Sequence, residues 1–259
     1  MAEPEIIQED RGGVRVLFLN RPPANSLSLS LLDALGAEIS VAESDSAVRA
    51  VVLCSKIAKY FSAGLDLEEL FSLPEARRAE LFRKLVEIHR RLASVSKPTV
   101  AAIEGAALLG GFILSLGCDW RYLSEESGKV SLSEVRLGLS PTPPLIRLVL
   151  GLTGKPGLVK DLVLQGRILR ASEAFEAGLV DKLLPSRGFM EESLREAERL
   201  SRLAPTAYAS IKRSLRSALL DGEDLLWEEG GREFSRLFVG PEAREGLLAL
   251  KEKRKPRWE

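Results

Sequence analysis

The chain has 259 residues, 45% of them hydrophobic, which is enough for one large core or for a core domain with a smaller appendage. Lys and Arg together number 37, as do Asp and Glu, so no basic field exists to hold nucleic acid or an acidic membrane surface. The acidic first ten residues contain no apolar signal segment, and no apolar run is long enough to span a membrane. We expect a soluble, cytoplasmic protein without nucleic-acid or membrane partners.

The chain reads as a region of alternating strands and helices followed by a helical tail. The predicted elements of the first region are a β-hairpin over 6–9 and 14–20, a helix over 27–44, a strand over 50–55, a helix over 74–94 and a strand over 99–104. The predicted helices of the tail cover 156–165, 171–177, 189–203, 206–220, 223–238 and 241–253. Strands that alternate with helices indicate crossover units in a mainly parallel sheet, so the fold class is α/β.

The candidate metal ligands are too few for a metal site, because the chain has one His and two Cys. Cys54 and Cys118 lie in apolar stretches, which predicts buried free thiols rather than a disulfide. His89 lies on the charged predicted helix, where we expect a solvated or half-buried side chain. For Asp119 we expect a capping role or an ion pair with Arg121.

Two strands lead through glycines into helices, at FSAGLDLEEL (61–70) and at ALLGGF (107–112). Each arrangement leaves free backbone N–H groups at the start of a helix, where they point at negative charge. Two such groups that converge form an oxyanion hole. The Rossmann and P-loop glycine patterns are absent from the sequence, which disfavours nucleotide-dependent redox chemistry and NTP hydrolysis.

Seven ordered segments carry a more specific signal: NRPPANSLS (20–28), FSAGLDLEEL (61–70), KPTVAAIEGAALLGG (97–111), CDWRY (118–122), SLSEVRLGL (131–139), RILRASEAFEAGLVDKLLP (167–185) and EGLLALKEKRKPRW (245–258). Together they resemble the crotonase, or enoyl-CoA hydratase/isomerase, superfamily over nearly the full length of the chain. Their motif pattern is most similar to that of the 3,2-trans-enoyl-CoA isomerases.

The resemblance implies a spiral of ββα units over 1–195, followed over 196–259 by a helical region that drives trimer formation. A homotrimer or a dimer of trimers is the implied assembly. The implied substrate is an acyl-CoA thioester, whose coenzyme A is part of the substrate, so no separate cofactor and no metal are expected.

The resemblance also assigns site residues. The oxyanion donors fall on the backbone N–H groups of Leu65 and Gly110, and the catalytic carboxyl group falls on Glu134. The residues implied in binding coenzyme A or the acyl group are Ala24, Ser62, Ala63, Gly64, Asp66, Leu67, Gly111 and Ile113. The triplet Leu109-Gly110-Gly111 departs from the three glycines that are common in the superfamily, a departure that bears on the backbone geometry at Gly110.

Water-adding members of the superfamily carry two glutamates, whereas this chain has Ile113 at the first position and Glu134 at the second. Hydration needs one group to deprotonate water and another to protonate C2. A single glutamate suffices to move a proton from C2 to C4 of a 3-enoyl thioester, and apolar walls raise its pKa toward neutrality. The sequence therefore favours an enoyl-CoA isomerase.

Two other functions stay open at this point. One is another crotonase reaction on a specialised acyl-CoA, such as hydration, decarboxylation or hydrolysis. The other is a non-catalytic acyl-CoA-binding or RNA-binding role, although zero net charge disfavours RNA. The proline-rich segment 139–145 lacks the backbone donors of a nest, so we expect it to shape the acyl pocket.

Overall fold

The computed structural model describes residues 3–220 and 222–258, whose strands form two sheets. The larger sheet has the order β1-β2-β3-β5-β7-β10, with β1 (Ile6–Arg11), β2 (Val14–Leu19), β3 (Ala50–Ser55), β5 (Thr99–Ile103), β7 (Trp120–Ser124) and β10 (Lys182–Leu184). The smaller sheet has the order β4-β6-β8-β9, with β4 (Tyr60–Ser62), β6 (Ala106–Leu108), β8 (Lys129–Ser131) and β9 (Leu169–Arg170). In the larger sheet β1 is antiparallel to β2, and the other neighbours are parallel.

Helices cover both faces of the larger sheet and form the C-terminal part of the chain. They are α1 (Leu29–Ser44), α2 (Leu67–Ser72), α3 (Glu75–Ser94), α4 (Gly110–Leu116), α5 (Pro143–Thr153), α6 (Pro156–Leu164), α7 (Ala171–Glu176), α8 (Phe189–Ser201), α9 (Pro205–Leu220), α10 (Glu223–Phe238) and α11 (Pro241–Lys251). A 3-10 turn spans Glu134–Leu137. None of the described helices is long and apolar enough to cross a membrane.

The chain winds as a spiral of ββα units. The pairs β3-β4, β5-β6 and β7-β8 each place their first strand in the larger sheet and their second in the smaller one. A helix or helical turn follows each pair. The predicted α/β class and the ββα spiral are confirmed, and the spiral brings the loops that follow β4, β6 and β8 to one edge of the smaller sheet.

The apolar runs of the central strands reflect burial on both faces. In β3, Val51 and Leu53 join the main core with α1 and α3, whereas Val52 and Cys54 pack on the opposite face beside α8. A parallel strand that is covered on both sides loses the polar alternation of a half-exposed strand, which explains the run AVVLCS. Cys54 and Cys118 are both buried free thiols, as predicted.

The tail is less uniformly helical than the sequence pattern predicts. β9 and β10 interrupt it, and β10 adds a parallel edge strand beside β7. Both strands have three residues or fewer, too short for a periodicity signal. Within the proline-rich segment 139–145, Pro143 and Pro144 begin α5, where a missing N–H costs no hydrogen bond. The division at 195/196 falls inside α8 and stays a prediction.

Candidate active site

A cavity lies where the ββα loops meet the last two helices. It encloses about 610 Å³ of empty space, part of it open to solvent. Its lining residues are Ala63, Leu65, Leu67, Leu70, Phe82, Leu85, Leu109, Gly110, Ile113, Glu134, Leu137, Leu139, Ser140, Pro141, Phe234, Leu247 and Leu250. The cavity thus brings together six of the residues selected from the sequence, which lie far apart in the chain: Ala63, Leu65, Leu67, Gly110, Ile113 and Glu134.

The two glycine-helix junctions meet at one wall of this cavity. Gly64 has φ +99, and a Cβ atom on it would lie 3.2 Å from the backbone nitrogen of Gly110. Glycine adopts that backbone conformation without penalty, and any side chain there would crowd Gly110. Leu65 and Gly110 line the cavity, and over the described residues their N–H groups donate to no other group in the chain. Two residues with free backbone donors therefore line the same cavity.

The second glycine of the pair lets α4 approach β4. A Cβ atom at Gly111 would lie 2.3 Å from the Ser62 carbonyl oxygen, well inside contact distance. Ser62 is buried, and its hydroxyl donates to the Asn25 carbonyl oxygen at 2.7 Å. These contacts fix the start of α4 against the smaller sheet, which positions the Gly110 N–H.

Leu109 occupies the position where three-glycine members carry their first glycine. It has φ +51 and ψ −125, a backbone conformation that leucine rarely adopts. Its N–H donates to the Ser131 carbonyl oxygen at 3.0 Å, and its carbonyl oxygen accepts from the Ile113 N–H at 3.0 Å. These bonds hold the strained residue in place, so α4 begins at Gly110 despite the leucine.

Glu134 supplies the carboxyl group of the cavity. It is the first residue of the 3-10 turn, and the residue is 5% exposed. Neither carboxyl oxygen has a hydrogen-bond partner among the described residues. Burial without a compensating cation or donor raises the pKa of the Glu134 carboxyl to about 7. The group can therefore both accept and donate a proton near neutral pH.

Ile113 closes the wall of α4 that faces the cavity and is 3% exposed. Its carbonyl oxygen accepts a hydrogen bond from His89 Nδ1 at 2.8 Å, while His89 Nε2 accepts from Arg216 at 2.8 Å. The expectation of a solvated or half-buried His89 is wrong, because the ring is fully buried between α4 and the tail helices. Burial, reinforced by the charge of Arg216, lowers the pKa of His89 to about 3.

The other predicted binding residues lie outside the cavity lining. Asp66 caps α2 by accepting from the Glu69 N–H, and it pairs with Arg21 at 2.5 Å. Ala24 accepts a hydrogen bond from the Ala63 N–H, so it borders the same loop. The binding roles of Ala24, Ser62, Gly64, Asp66 and Gly111 stay predictions.

Sequence reasoning missed the residues that the tail contributes to the cavity. Phe234, Leu247 and Leu250 come from α10 and α11, about 100 residues after Glu134, and no local pattern connects them to it. Phe234 lies in the core and also lines the cavity. On α3, Phe82 and Leu85 lie three residues apart on one apolar face, a spacing the sequence displays.

Asp119 does not form the predicted ion pair with Arg121. It pairs with Lys212 at 2.9 Å, and Arg121 pairs with Asp181 at 3.0 Å. The partner of Asp119 comes from α9, which sequence spacing could not indicate. No cluster of three His, Cys, Asp or Glu side chains that could hold a metal ion occurs within 3–220 and 222–258.

Residues 9–259 match the Enoyl-CoA hydratase/isomerase family. The chain belongs to this family, within the crotonase superfamily. It is a crotonase-family acyl-CoA enzyme. The sequence resemblance, the ββα spiral and the paired donors beside a carboxyl group agree with that membership.

Similar proteins carry names of several reactions. A putative enoyl-CoA hydratase from Thermus thermophilus is 35% identical, over 98% of this chain and 100% of the relative. The 2,3-dehydroadipyl-CoA hydratase of Escherichia coli is 33% identical, over 97% of each chain. Human mitochondrial delta3-delta2-enoyl-CoA isomerase has a similar structure, with a TM-score of 0.89 and 26% identity over 96% of this chain and 97% of that one.

Proposed function

We propose that this enzyme converts 3-enoyl-CoA thioesters to 2-enoyl-CoA thioesters with Glu134 as the acid-base group. One observation carries the proposal: among the described residues that line the cavity, Glu134 is the one titratable side chain. At the neighbouring position of α4, where hydration would place a second carboxyl group, the wall is the apolar side chain of Ile113.

In this reaction the thioester carbonyl oxygen accepts hydrogen bonds from the N–H groups of Leu65 and Gly110. The ionised Glu134 carboxylate removes a proton from C2, and the C–H electron pair delocalises over C2 to C4 and the thioester oxygen as a dienolate. The protonated Glu134 then returns the proton to C4, so the double bond moves from C3–C4 to C2–C3. Atoms and charge balance without water or a cofactor.

The buried environment suits each step. Fixed backbone donors in a dry site stabilise a developing oxyanion, and the loss of one such donor typically costs about 10²- to 10³-fold in rate. A carboxyl pKa of about 7 allows Glu134 to take the proton and to return it at neutral pH. The described lining residues offer no second carboxyl group to activate the water that would add to the 2-enoyl product.

The remaining site assignments are part of the same proposal. We expect Ala63, Leu67 and Ile113 to contact the acyl group or the adjoining pantetheine, and Ala24, Ser62, Gly64, Asp66 and Gly111 to form or support the coenzyme A site. A homotrimer or a dimer of trimers is the proposed assembly, to be measured by light scattering.

Hydration is the second candidate, because most of the similar proteins are named hydratases. It requires a second acid-base group or a water held by the backbone, and the cavity lining offers Ser140 as its only other side chain with a polar atom among the described residues. The single carboxyl group therefore favours isomerisation.

The test is product analysis by chromatography after incubation with 3-hexenoyl-CoA and, separately, with 2-hexenoyl-CoA. We expect the 2-enoyl ester from the first substrate and no 3-hydroxy ester from the second. Glu134→Gln, which keeps the side-chain shape, should lower the rate by about 10²- to 10⁴-fold.

Ser140→Ala is the matched control, since it removes a polar group of the same cavity that bonds to the adjacent Pro141 carbonyl oxygen. It should keep most of the activity. A 3-hydroxy product from the wild type would establish the hydratase instead, and full activity of Glu134→Gln would refute the role of the carboxyl group.

A further inference from the structure

We expect the acyl chain in the part of the cavity that α3, α10 and α11 line, and this part has no positive charge. The residues of α3, α10 and α11 that line it are Phe82, Leu85, Phe234, Leu247 and Leu250. No Lys, Arg or His appears among the described lining residues. The few residues that the structure does not describe contain no Lys, Arg or His. The carboxyl group of Glu134 is itself without a partner, so it adds negative charge to the same space when ionised.

The lining residues also indicate the path that an acyl chain follows from Gly110. A Cβ atom on Gly110 would lie 3.0 Å from Leu85 Cδ2, so Leu85 adjoins the proposed oxyanion donor. Phe82 lies one helical turn before Leu85 on the same face of α3. Its ring stacks on Phe234 with the centroids 4.1 Å apart, and both residues are 4% exposed. An acyl chain that starts at Gly110 and follows α3 therefore ends against this aromatic pair.

Arg78 lies near the Phe82–Phe234 pair but does not line the cavity. The guanidinium group of Arg78 is 5.8 Å from the ring centroid of Phe238, and Phe238 stacks on Phe234. Arg78 also donates to the Leu73 carbonyl oxygen at 3.1 Å. Neither Arg78 nor Phe238 lines the cavity.

We propose that the site selects unsubstituted hydrocarbon acyl chains, rejects acyl groups that end in a carboxylate, and limits chain length by the stacked Phe82–Phe234 pair. This inference rests on the proposed acyl-CoA site. A terminal carboxylate that enters such a cavity loses its hydration and gains no cation or donor in return, whereas a methyl end gains apolar contact.

Binding of unreactive saturated thioesters tests the charge selection by calorimetry. Hexanoyl-CoA and adipoyl-CoA have acyl groups of six carbons, and the second ends in a carboxylate. We expect adipoyl-CoA to bind about 100-fold more weakly, because an unpaired buried carboxylate is strongly disfavoured. The monomethyl ester of adipoyl-CoA, which is uncharged and slightly larger, should bind within a few-fold of hexanoyl-CoA.

Two results would overturn the charge selection. Equal affinity for hexanoyl-CoA and adipoyl-CoA would show that a carboxylate is accommodated, and loss of that affinity in Arg78→Met would identify Arg78 as its partner. An ester that binds as weakly as the acid would show that bulk, not charge, is rejected.

Phe234→Leu tests the length limit. It should raise the affinity for decanoyl-CoA relative to hexanoyl-CoA by about 10-fold, because the space opened by the smaller side chain buries between one and two more methylenes at about fourfold each. Phe238→Leu is the matched control, because it alters the same aromatic stack without lining the cavity, and its ratio should stay at the wild-type value. An unchanged ratio in Phe234→Leu would refute the length limit.

These binding measurements separate the inference from the proposed reaction. Saturated thioesters cannot isomerise, so the selectivity is measured whether or not the enzyme moves double bonds. If 3-hexenoyl-CoA is not isomerised but the selectivity appears, the reaction is wrong and the substrate class is right. The reverse outcome refutes the substrate class alone.

Discussion

Glu134 and Asp119 carry two largely buried carboxylates. They differ in their hydrogen-bond partners. Asp119 Oδ2 accepts from the Thr99 N–H at 2.9 Å, from Tyr208 at 3.1 Å and from Lys212 at 2.9 Å. Neither Glu134 oxygen has a partner among the described residues. The hydrogen bonds of Asp119 hold α9 against the strands. The Glu134 carboxyl group, in contrast, is free to exchange a proton with a ligand.

Burial alone does not identify a functional acid, because the partners of the buried carboxylate also matter. The Lys212 side chain is 7% exposed, and its ammonium group also donates to the carbonyl oxygens of Leu92 and Lys97. Every donor there has an acceptor within the fold. At Glu134 the fold leaves the polar atoms unsatisfied, a cost that is typical of functional sites.

Removal of the partner of Asp119 should have the largest effect on stability. Lys212→Met leaves Asp119 with two neutral donors and without its cation, so the free energy of unfolding should fall by about 3 to 4 kcal/mol, measured by urea denaturation. Activity per folded molecule should stay within a few-fold of wild type.

Lys155→Met is the matched control, because Lys155 is exposed and donates to the Glu176 carbonyl oxygen. Its unfolding free energy should change by less than about 0.5 kcal/mol. Equal losses in both variants would mean that the Asp119 cluster contributes no more to stability than a surface contact.

The pH dependence of the unfolding free energy should reveal the raised pKa of Glu134. Its pKa is about 7 when folded and near 4.5 when unfolded, so the folded protein holds the proton more tightly. The resulting stabilisation is fully present below about pH 4.5 and is lost as pH rises through about 7. Relative to Glu134→Gln, the wild type should lose about 2 to 3 kcal/mol of unfolding free energy over this window.

Activity should follow the reverse trend, because the carboxylate must be ionised to remove the C2 proton. We expect kcat/KM to rise with pH and to level off above about 7. Denaturation of wild type and Glu134→Gln at pH 4.5, 6 and 7.5, together with a pH-rate profile, tests both trends. Parallel stability curves for the two proteins would contradict the raised pKa.

The smallest effect concerns backbone strain beside the cavity. Leu109 has φ +51, which glycine adopts without penalty, so Leu109→Gly should raise the unfolding free energy by about 1 kcal/mol. The loss of a half-buried side chain offsets part of the relief. Leu108→Gly, one residue earlier in β6 and also half-buried, should instead destabilise the protein by a similar amount. Destabilisation by both variants would show that Leu109 packing outweighs its strain.

The sequence predicted most of what local pattern and motif determine. The strand over 50–55 and the amphipathic helix over 74–94 appear within one residue of the predicted bounds, because their periodicity reflects burial. Leu65, Gly110 and Glu134, which lie far apart in the chain, line one cavity. The Glu134 pKa was expected to approach neutrality, and burial raises it to about 7.

The remaining features depend on contacts between distant parts of the chain. Phe234 and Leu247 reach the cavity, and Lys212 reaches Asp119, because α9, α10 and α11 fold back on the spiral. His89 is buried because α4 and the helices of the tail cover it on α3. Neither composition nor periodicity encodes how one helix packs over another, so these partners could not be read from sequence.

The central claim is that the Glu134 carboxyl group carries a proton from C2 to C4 within the mostly apolar cavity. The most direct test is turnover of 3-hexenoyl-CoA that bears two deuterium atoms at C2, in ordinary water, with the product analysed by NMR and mass spectrometry. The account predicts 2-hexenoyl-CoA with deuterium transferred to C4 and no 3-hydroxy ester. Protium alone at C4, or a hydrated product, would contradict the claim.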